Sequence, residues 1–123
     1  MTRRPIILIL VLLLAVALVA CSSEPEQYDD LSELAEGVSA AEVPCDRVDP
    51  GPRAQLVSAT GTCVGSGVTL YLFDRGQDLE DWQEVGTRVG AAVMGPTWAA
   101  TGKVDELDRI VAELGGEIVR AND

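Results

Sequence analysis

The sequence predicts an α+β domain in which a small antiparallel sheet, built from two hairpins, carries helices packed on one face. Two observations support this prediction. Apolar residues recur with helical spacing in residues 79–89 and 104–114, and short runs of alternating apolar and polar residues flank glycine-containing turns. Both helical stripes must be buried, and half-apolar hairpins offer a surface for that. The predicted order is ββαββα after a short N-terminal helix.

The chain begins with a segment that is typical of an export signal. Arg3 and Arg4 precede fifteen consecutive apolar residues, which run from Ile6 to Ala20. As a helix this run would be about 22 Å long, which is short of the roughly 30 Å of hydrocarbon in a bilayer. We therefore expect residues 1–20 to be a removable signal rather than a permanent membrane span.

The end of the apolar run, Leu18-Val19-Ala20-Cys21, resembles the lipobox of bacterial lipoproteins. In that family a diacylglyceryl group is attached to the cysteine thiol, and a signal peptidase recognises the three preceding residues and cuts before the cysteine. The resemblance implies that Cys21 is lipidated and holds the protein on the outer face of the cell membrane. An ordinary secretory signal that happens to end near a cysteine is the alternative.

Residues 21–28 are predicted to form the lipidated N-terminus and a flexible tether. The stretch "SSEPEQY" has no apolar periodicity and contains a proline, and it could span about 25 Å when fully extended. Two acyl chains would anchor the protein stably, whereas one would hold it only marginally. Residues 29–123 are enough for one small domain and too few for two.

The first half of the domain contains a predicted helix and a predicted hairpin. Asp30 is a suitable N-cap, Glu33 follows it three positions later, and Gly37 is a suitable stop. Three prolines predict an irregular backbone from Val43 to Arg53. The runs "AQLVSATGTC" and "VTLYLF", joined by a turn at residues 64–67, predict the first hairpin.

The second half repeats the hairpin and helix. Asp78 is a predicted N-cap for a helix that ends near Gly90, with an apolar side formed by Leu79, Trp82, Val85, Gly86 and Val89. Ala92 to Met94 and Trp98 to Ala100 are the predicted arms of a second hairpin, with a single strand kinked at Pro96 as the alternative.

The clearest helix is the last. Its predicted buried stripe consists of Val104, Leu107, Ile110, Val111 and Leu114. Gly115 and Gly116 end this helix, and residues 117–120 are a predicted edge strand.

Cysteine content predicts one disulfide. The chain contains three cysteines; with Cys21 assigned to lipid, Cys45 and Cys63 remain, at a spacing that fits no zinc knuckle or CxxC site. A disulfide between them suits an oxidising compartment and would contribute about 3 kcal/mol, with two free thiols as the alternative. It requires either an extended segment that runs from Cys45 alongside the first hairpin strand, or a strand shortened or bent near Gly61.

Charge excludes several classes of partner. Removal of residues 1–20 takes away two arginines and no acid, which leaves 7 basic and 20 acidic residues and a net charge of −13. Nucleic acids and anionic lipid surfaces both require a basic surface, so neither is an expected electrostatic partner. The acidic residues match no EF-hand pattern, and no metal site or cofactor is predicted.

The sequence offers no constellation for catalysis, and we predict a protein that is not an enzyme. It contains no histidine, which removes the commonest general base. The carboxylates of Asp78, Glu80, Asp81 and Glu84 fall on the predicted outward side of a helix, where water solvates them.

Trp98 follows a Gly-Pro-Thr turn and has two interpretations. An exposed tryptophan could be a partner contact, because aromatic residues dominate binding hot spots. With five aromatic residues in the whole chain, a role in the core or in turn packing is favoured.

Several short motifs of the mature domain carry a second resemblance. They are Cys45, "GTC" at 61–63, "VTLYLF" at 68–73, "DW" at 81–82, "GPTW" at 95–98 and the closing "LGGEIV". With them the domain resembles small exported proteins and lipoproteins of high-GC Gram-positive bacteria. The resemblance covers residues 29–120 and implies an extracytoplasmic location and a compact α+β fold, but no activity.

Two hypotheses for function follow. The first is a non-catalytic module that binds an envelope protein through its acidic face or through an exposed Trp98. The second is a binder of a small ligand or a divalent cation. A catalytic subunit that lacks its metal or its partner is a third and disfavoured hypothesis.

Overall fold

A computed structural model describes residues 27–120, in which three α-helices alternate with six strands. The elements in chain order are α1 (Leu31–Ala40), β1 (Val48–Pro50), β2 (Ala59–Cys63), β3 (Thr69–Leu72), α2 (Gly76–Gly86), a turn of 3-10 helix (Thr87–Val89), β4 (Ala92–Met94), β5 (Trp98–Thr101), α3 (Val104–Leu114) and β6 (Glu117–Val119). Cys21 and the preceding Leu18, Val19 and Ala20 lie outside the described residues. Within residues 27–120, no helix is long and apolar enough to cross a bilayer.

The strands form one antiparallel sheet in the order β1-β2-β3-β5-β4-β6. The pairs β2–β3 and β4–β5 are the two predicted hairpins, so the alternative of a single strand kinked at Pro96 is wrong. Pairing of β3 with β5 joins the hairpins, and the predicted edge strand β6 pairs with β4. The predicted α+β class, with its antiparallel sheet and its disulfide, is confirmed.

The two faces of the sheet bury different residues because strand side chains alternate in direction. We name as the core face the side that carries Leu70, Leu72 and Val93, which pack in one large cluster with residues of α1 and α3. We name as the second face the side that carries Tyr71 and Ala99, which pack in a smaller cluster with residues of α2.

The prediction that the helices pack on one face holds for α1 and α3 but not for α2. Strands β3 and β4 both pair antiparallel with β5 and are therefore parallel, and α2 connects them; β5 and β6 are likewise parallel, and α3 connects them. Both connections step in the same direction across the sheet. The two strands that α2 connects, however, run opposite to the two strands that α3 connects. Because parallel crossovers share one hand, the two helices must lie on opposite faces.

Helix α1 begins as predicted and ends later. The Asp30 carboxylate accepts a hydrogen bond from the Glu33 amide at 2.9 Å, which caps the helix. The helix continues past Gly37 to Ala40, because Val38 is fully buried in the core cluster. Gly37 is needed for close approach, since a Cβ there would lie 2.7 Å from Leu114 of α3.

Strand β1 lies in the segment that was predicted to be irregular. The disulfide between Cys45 and Cys63 brings their Cα atoms to 4.6 Å and places β1 beside β2. Of the two geometries compatible with that disulfide, the structure combines both: β2 begins only at Ala59, and β1 extends alongside it. Gly61 makes room for this pairing, because a Cβ there would lie 2.3 Å from Val48.

The N-cap of helix α2 lies three residues before the predicted cap, Asp78. Its N-cap is Arg75, whose guanidinium donates hydrogen bonds to the Asp78 carboxylate at 3.0 and 3.3 Å. This hydrogen bond, together with the negative charge of Asp78, raises the pKa of Arg75 above its usual value. Leu79 and Trp82 are buried as predicted, but Val85 is 57% exposed. Helix α2 therefore covers only part of the second face.

Candidate interaction surface

The second face has an aromatic centre. The ring of Tyr71 on β3 lies 4.6 Å from the ring of Trp82 on α2, and the ring of Phe73 lies 5.5 Å from it. Trp82 is 7% exposed, whereas Tyr71 is half-buried. The tyrosine therefore remains accessible at the border of the helix, and tilted ring pairs at these separations are favourable.

Gly86 allows Trp82 to take this position. A Cβ at residue 86 would lie 2.3 Å from the Trp82 ring, a distance that side chains cannot tolerate. The indole therefore packs directly against the backbone at the C-terminal end of its own helix. A glycine in the last turn of a helix lowers helix propensity, and here it serves the placement of an aromatic ring.

A cavity of about 410 Å³ lies between the C-terminal end of α2 and the sheet. This volume falls in the range of roughly 300–1,000 Å³ that is typical of ligand sites. The lining residues are Tyr71, Trp82, Val85, Gly86, Gly90, Ala91, Thr101 and Gly102.

Among the described residues, no charged side chain lines the cavity, although 24% of the residues in the chain are charged. Apart from Trp82, its lining residues come from two segments, 50–73 and 85–104, that contain no aspartate or glutamate. The acidic residues of this region are on α2, where Glu80, Asp81 and Glu84 are exposed. An uncharged, aromatic-walled recess thus lies beside an acidic helix surface.

A row of hydroxyl groups lies on the second face beside the cavity. Thr62 of β2 pairs with Thr69 of β3, and Thr69 pairs with Thr101 of β5. The hydroxyl oxygens of Thr62 and Thr69 are 3.3 Å apart. This row continues from the cavity toward Asp49 at the β1 edge, which pairs with Thr62, so the open part of the face is polar.

Trp98 does not contribute to this surface. Its side chain is fully buried in the core cluster, and its ring centroid lies 6.0 Å from that of Tyr28. Tyr28 therefore belongs to the domain, and its place in the predicted tether of residues 21–28 is wrong. The hypothesis of an exposed Trp98 as a partner contact is therefore wrong, and the favoured role in core packing is confirmed. The reason is register: Trp98 pairs with Leu72, so both side chains point to the core face.

The remaining predicted site residues divide into two groups. Cys45 and Cys63 are joined in the predicted disulfide and are buried. The lipidation residue Cys21 and its recognition residues 18–20 are outside the described part of the chain. In residues 27–120, no group of three or more acidic or cysteine side chains could hold a metal ion.

The cavity could not be predicted from helical spacing, because that spacing places Val85 on the buried side of α2. A signal for the cavity was present in the sequence, because segments 50–73 and 85–104 contain no acidic residue in a strongly acidic chain.

Comparisons with protein-family models, with curated proteins and with solved structures find no match to this chain.

Proposed function

We propose that this protein is a cell-envelope lipoprotein, held on the outer face of the membrane through lipidated Cys21, whose domain is a non-catalytic protein-interaction module. The anchor rests on the sequence pattern of residues 1–21, in which a basic start, an apolar run and a lipobox follow in the required order. The interaction role rests on the uncharged cavity of the second face.

The cavity supports capture of an apolar side chain from a partner protein. Moving such a side chain out of water contributes about 1.5–3 kcal/mol, and the uncharged lining means that no buried charge must be desolvated. Tyr71 and Trp82 supply aromatic walls of the kind found at binding hot spots. Val85, which is 57% exposed, extends the apolar contact to the rim.

The acidic surface of α2 supports a particular charge on the partner. Glu80, Asp81 and Glu84 are exposed on the helix whose last turn borders the cavity. Opposite charges at the rim of an interface mainly raise the association rate and select the partner. The expected partner therefore presents an apolar anchor residue flanked by lysine or arginine.

A small uncharged ligand is the second candidate, and the lack of a carboxylate among the lining residues described favours it over a divalent cation. Thermal melts with and without a library of uncharged envelope metabolites separate the two functions. A ligand that binds only the folded state raises the midpoint. A ligand that does so in wild type but not in Tyr71→Ala would support this second function.

The first test is in-cell crosslinking of wild type and Cys21→Ser, after fractionation into membrane and soluble pools. We expect wild type in the membrane pool with one dominant crosslinked envelope protein, and Cys21→Ser in the soluble pool without it. Retention in the membrane pool of a Cys21→Ser chain that has lost residues 1–20 would contradict the anchor. An anchored wild type that yields no specific crosslink would contradict the interaction role and lead to the ligand screen.

A further inference from the structure

The loop that joins β1 to β2, residues 51–57, exposes a leucine in an unfavourable backbone conformation. Leu56 is 41% exposed, and its φ of 75° lies in the left-handed region that leucine rarely adopts. Glycine or asparagine would hold this turn more easily. Neither core packing nor local backbone preference therefore accounts for an apolar side chain at this position.

The same loop lies in an acid-free part of the chain. From Pro50 to Phe73 there is no aspartate or glutamate, and the one charged residue is Arg53 in the loop itself. Arg53 is exposed. The net charge of −13 disfavours docking of the domain as a whole on anionic lipid, but this loop is locally cationic. Its apolar residue and its cation complement a bilayer surface that offers apolar acyl chains below anionic headgroups.

The loop lies at the end of the domain to which the tether connects. Arg53 and Val57 line a small cavity together with Leu31, the first residue of α1. Tyr28, three residues before Leu31, packs against Trp98. Trp98 and Ala59, the first residue of β2, lie at the same end of the sheet, because both pair with Leu72.

The predicted tether keeps this end close to the bilayer. Seven residue steps separate Cys21 from Tyr28, which gives at most about 25 Å when extended and about 15 Å for a flexible chain. A domain of this size has a radius of gyration of about 12 Å, which corresponds to a width of roughly 30 Å for a compact sphere. The tether is thus shorter than the domain is wide, and the end that carries Tyr28 and the loop stays within reach of the surface.

We propose that loop 51–57 is a membrane contact, with Leu56 at the boundary of the acyl chains and Arg53 on anionic headgroup oxygens. This inference rests on the proposed lipid anchor at Cys21. A weak contact is sufficient, because the anchor makes it intramolecular. The contact would point the opposite end of β5, where Thr101 and Gly102 line the cavity, away from the membrane.

The test uses lipidated full-length protein on vesicles, with a fluorescent label on Leu56→Cys and, as a matched control, on Val64→Cys. Val64 is 43% exposed and follows the opposite end of β2. On vesicles of phosphatidylcholine and phosphatidylglycerol, the label at residue 56 should shift to the blue and be quenched by brominated acyl chains. The label at residue 64 should show neither change. Aqueous emission at 56 on vesicle-bound protein, or equal quenching at both positions, would overturn the proposal.

Two further variants separate this inference from the anchor. Arg53→Gln should reduce the inserted population about fivefold on vesicles with phosphatidylglycerol, the factor that corresponds to about 1 kcal/mol per basic residue at an anionic surface. It should have little effect on phosphatidylcholine alone. Flotation of wild type and of Cys21→Ser without residues 1–20 tests the anchor by itself. Equal flotation contradicts the anchor, whereas loss of flotation in this variant with no insertion of the wild-type label at residue 56 contradicts the loop contact alone.

Discussion

The two faces of the sheet differ in how completely they are covered. In residues 27–120 the core cluster contains 17 buried residues, including those of α1 and α3. The second cluster contains five, including those of α2. Neighbouring residues of one strand show the contrast, since Leu70 is fully buried and Tyr71 is half-buried. The difference teaches that one sheet can place most of its buried residues on one face and leave the other face partly open.

The largest expected effect comes from truncating that strand on its two sides. Leu70→Ala should lower the free energy of unfolding by about 2–5 kcal/mol, because it opens a cavity in the core cluster. Tyr71→Ala should have about half that effect, because its ring is only half-buried. Urea unfolding of the Cys21→Ser chain without residues 1–20 measures both. A greater loss for Tyr71→Ala would reverse the assignment of stability to the core face.

The disulfide gives the next effect, and it belongs to the core face. The double variant Cys45→Ser, Cys63→Ser should lose about 3 kcal/mol, because the unfolded chain regains the entropy of an open loop. Reduction of the wild-type protein should produce a loss of the same size in urea unfolding. A chain whose urea midpoint is unaffected by reduction would show that β1 does not depend on the disulfide.

A glycine pair in α2 sharpens the comparison on the second face. Gly86→Ala should destabilise by about 1–3 kcal/mol, because its Cβ would displace Trp82. Gly76→Ala, at the start of the same helix with its nearest neighbour at 3.7 Å, should be neutral or stabilise by up to about 1 kcal/mol. Thermal melts of both variants check this. Equal effects of the two variants would mean that the packing of Trp82 contributes little to the stability of the second face.

The smallest effect on stability is expected at the rim of the cavity. Val85→Gln should change the free energy of unfolding by less than about 0.5 kcal/mol, because the side chain is exposed and keeps its helix. The matched variant is Val104→Gln, at another exposed valine on a helix. Only Val85→Gln should reduce partner capture. A reduction by both variants would place the binding surface elsewhere.

Much of the fold could be predicted because hydrophobic periodicity is local. The arms of both hairpins and the buried residues Leu107, Ile110 and Leu114 of α3 follow from residue spacing alone, and the Asp30 cap follows from its side chain. The prediction that places Val104 in the stripe of α3 is wrong, because Val104 is the first residue of the helix and is exposed.

The side on which α2 packs could not be predicted in this way. Tyr71 and Phe73 give β3 apolar side chains on both sides, so the sequence pattern does not identify the face that α2 covers. The handedness rule identifies that face only when the strand order is known, and the strand order depends on long-range pairing.

The candidate site was less predictable for the same reason. Val85 repeats the helical spacing of Trp82, so periodicity places its side chain on the buried side of the helix. Beneath the end of α2, however, lie the small residues Ala91 and Thr101, which leave a recess. Strand β1 depended on a disulfide partner and not on its own sequence, since Pro50 argues against a strand. Cavities and edge strands of this kind depend on contacts between distant segments.

The most direct test of the central claim is site-specific photo-crosslinking in cells. A photo-reactive side chain is placed at residue 85 or, as a control, at residue 104 of the anchored chain. The account predicts one envelope protein crosslinked from residue 85 and none from residue 104, with no change in membrane anchoring. No crosslink from residue 85, or the same partner from both positions, would contradict the assignment of binding to the second face.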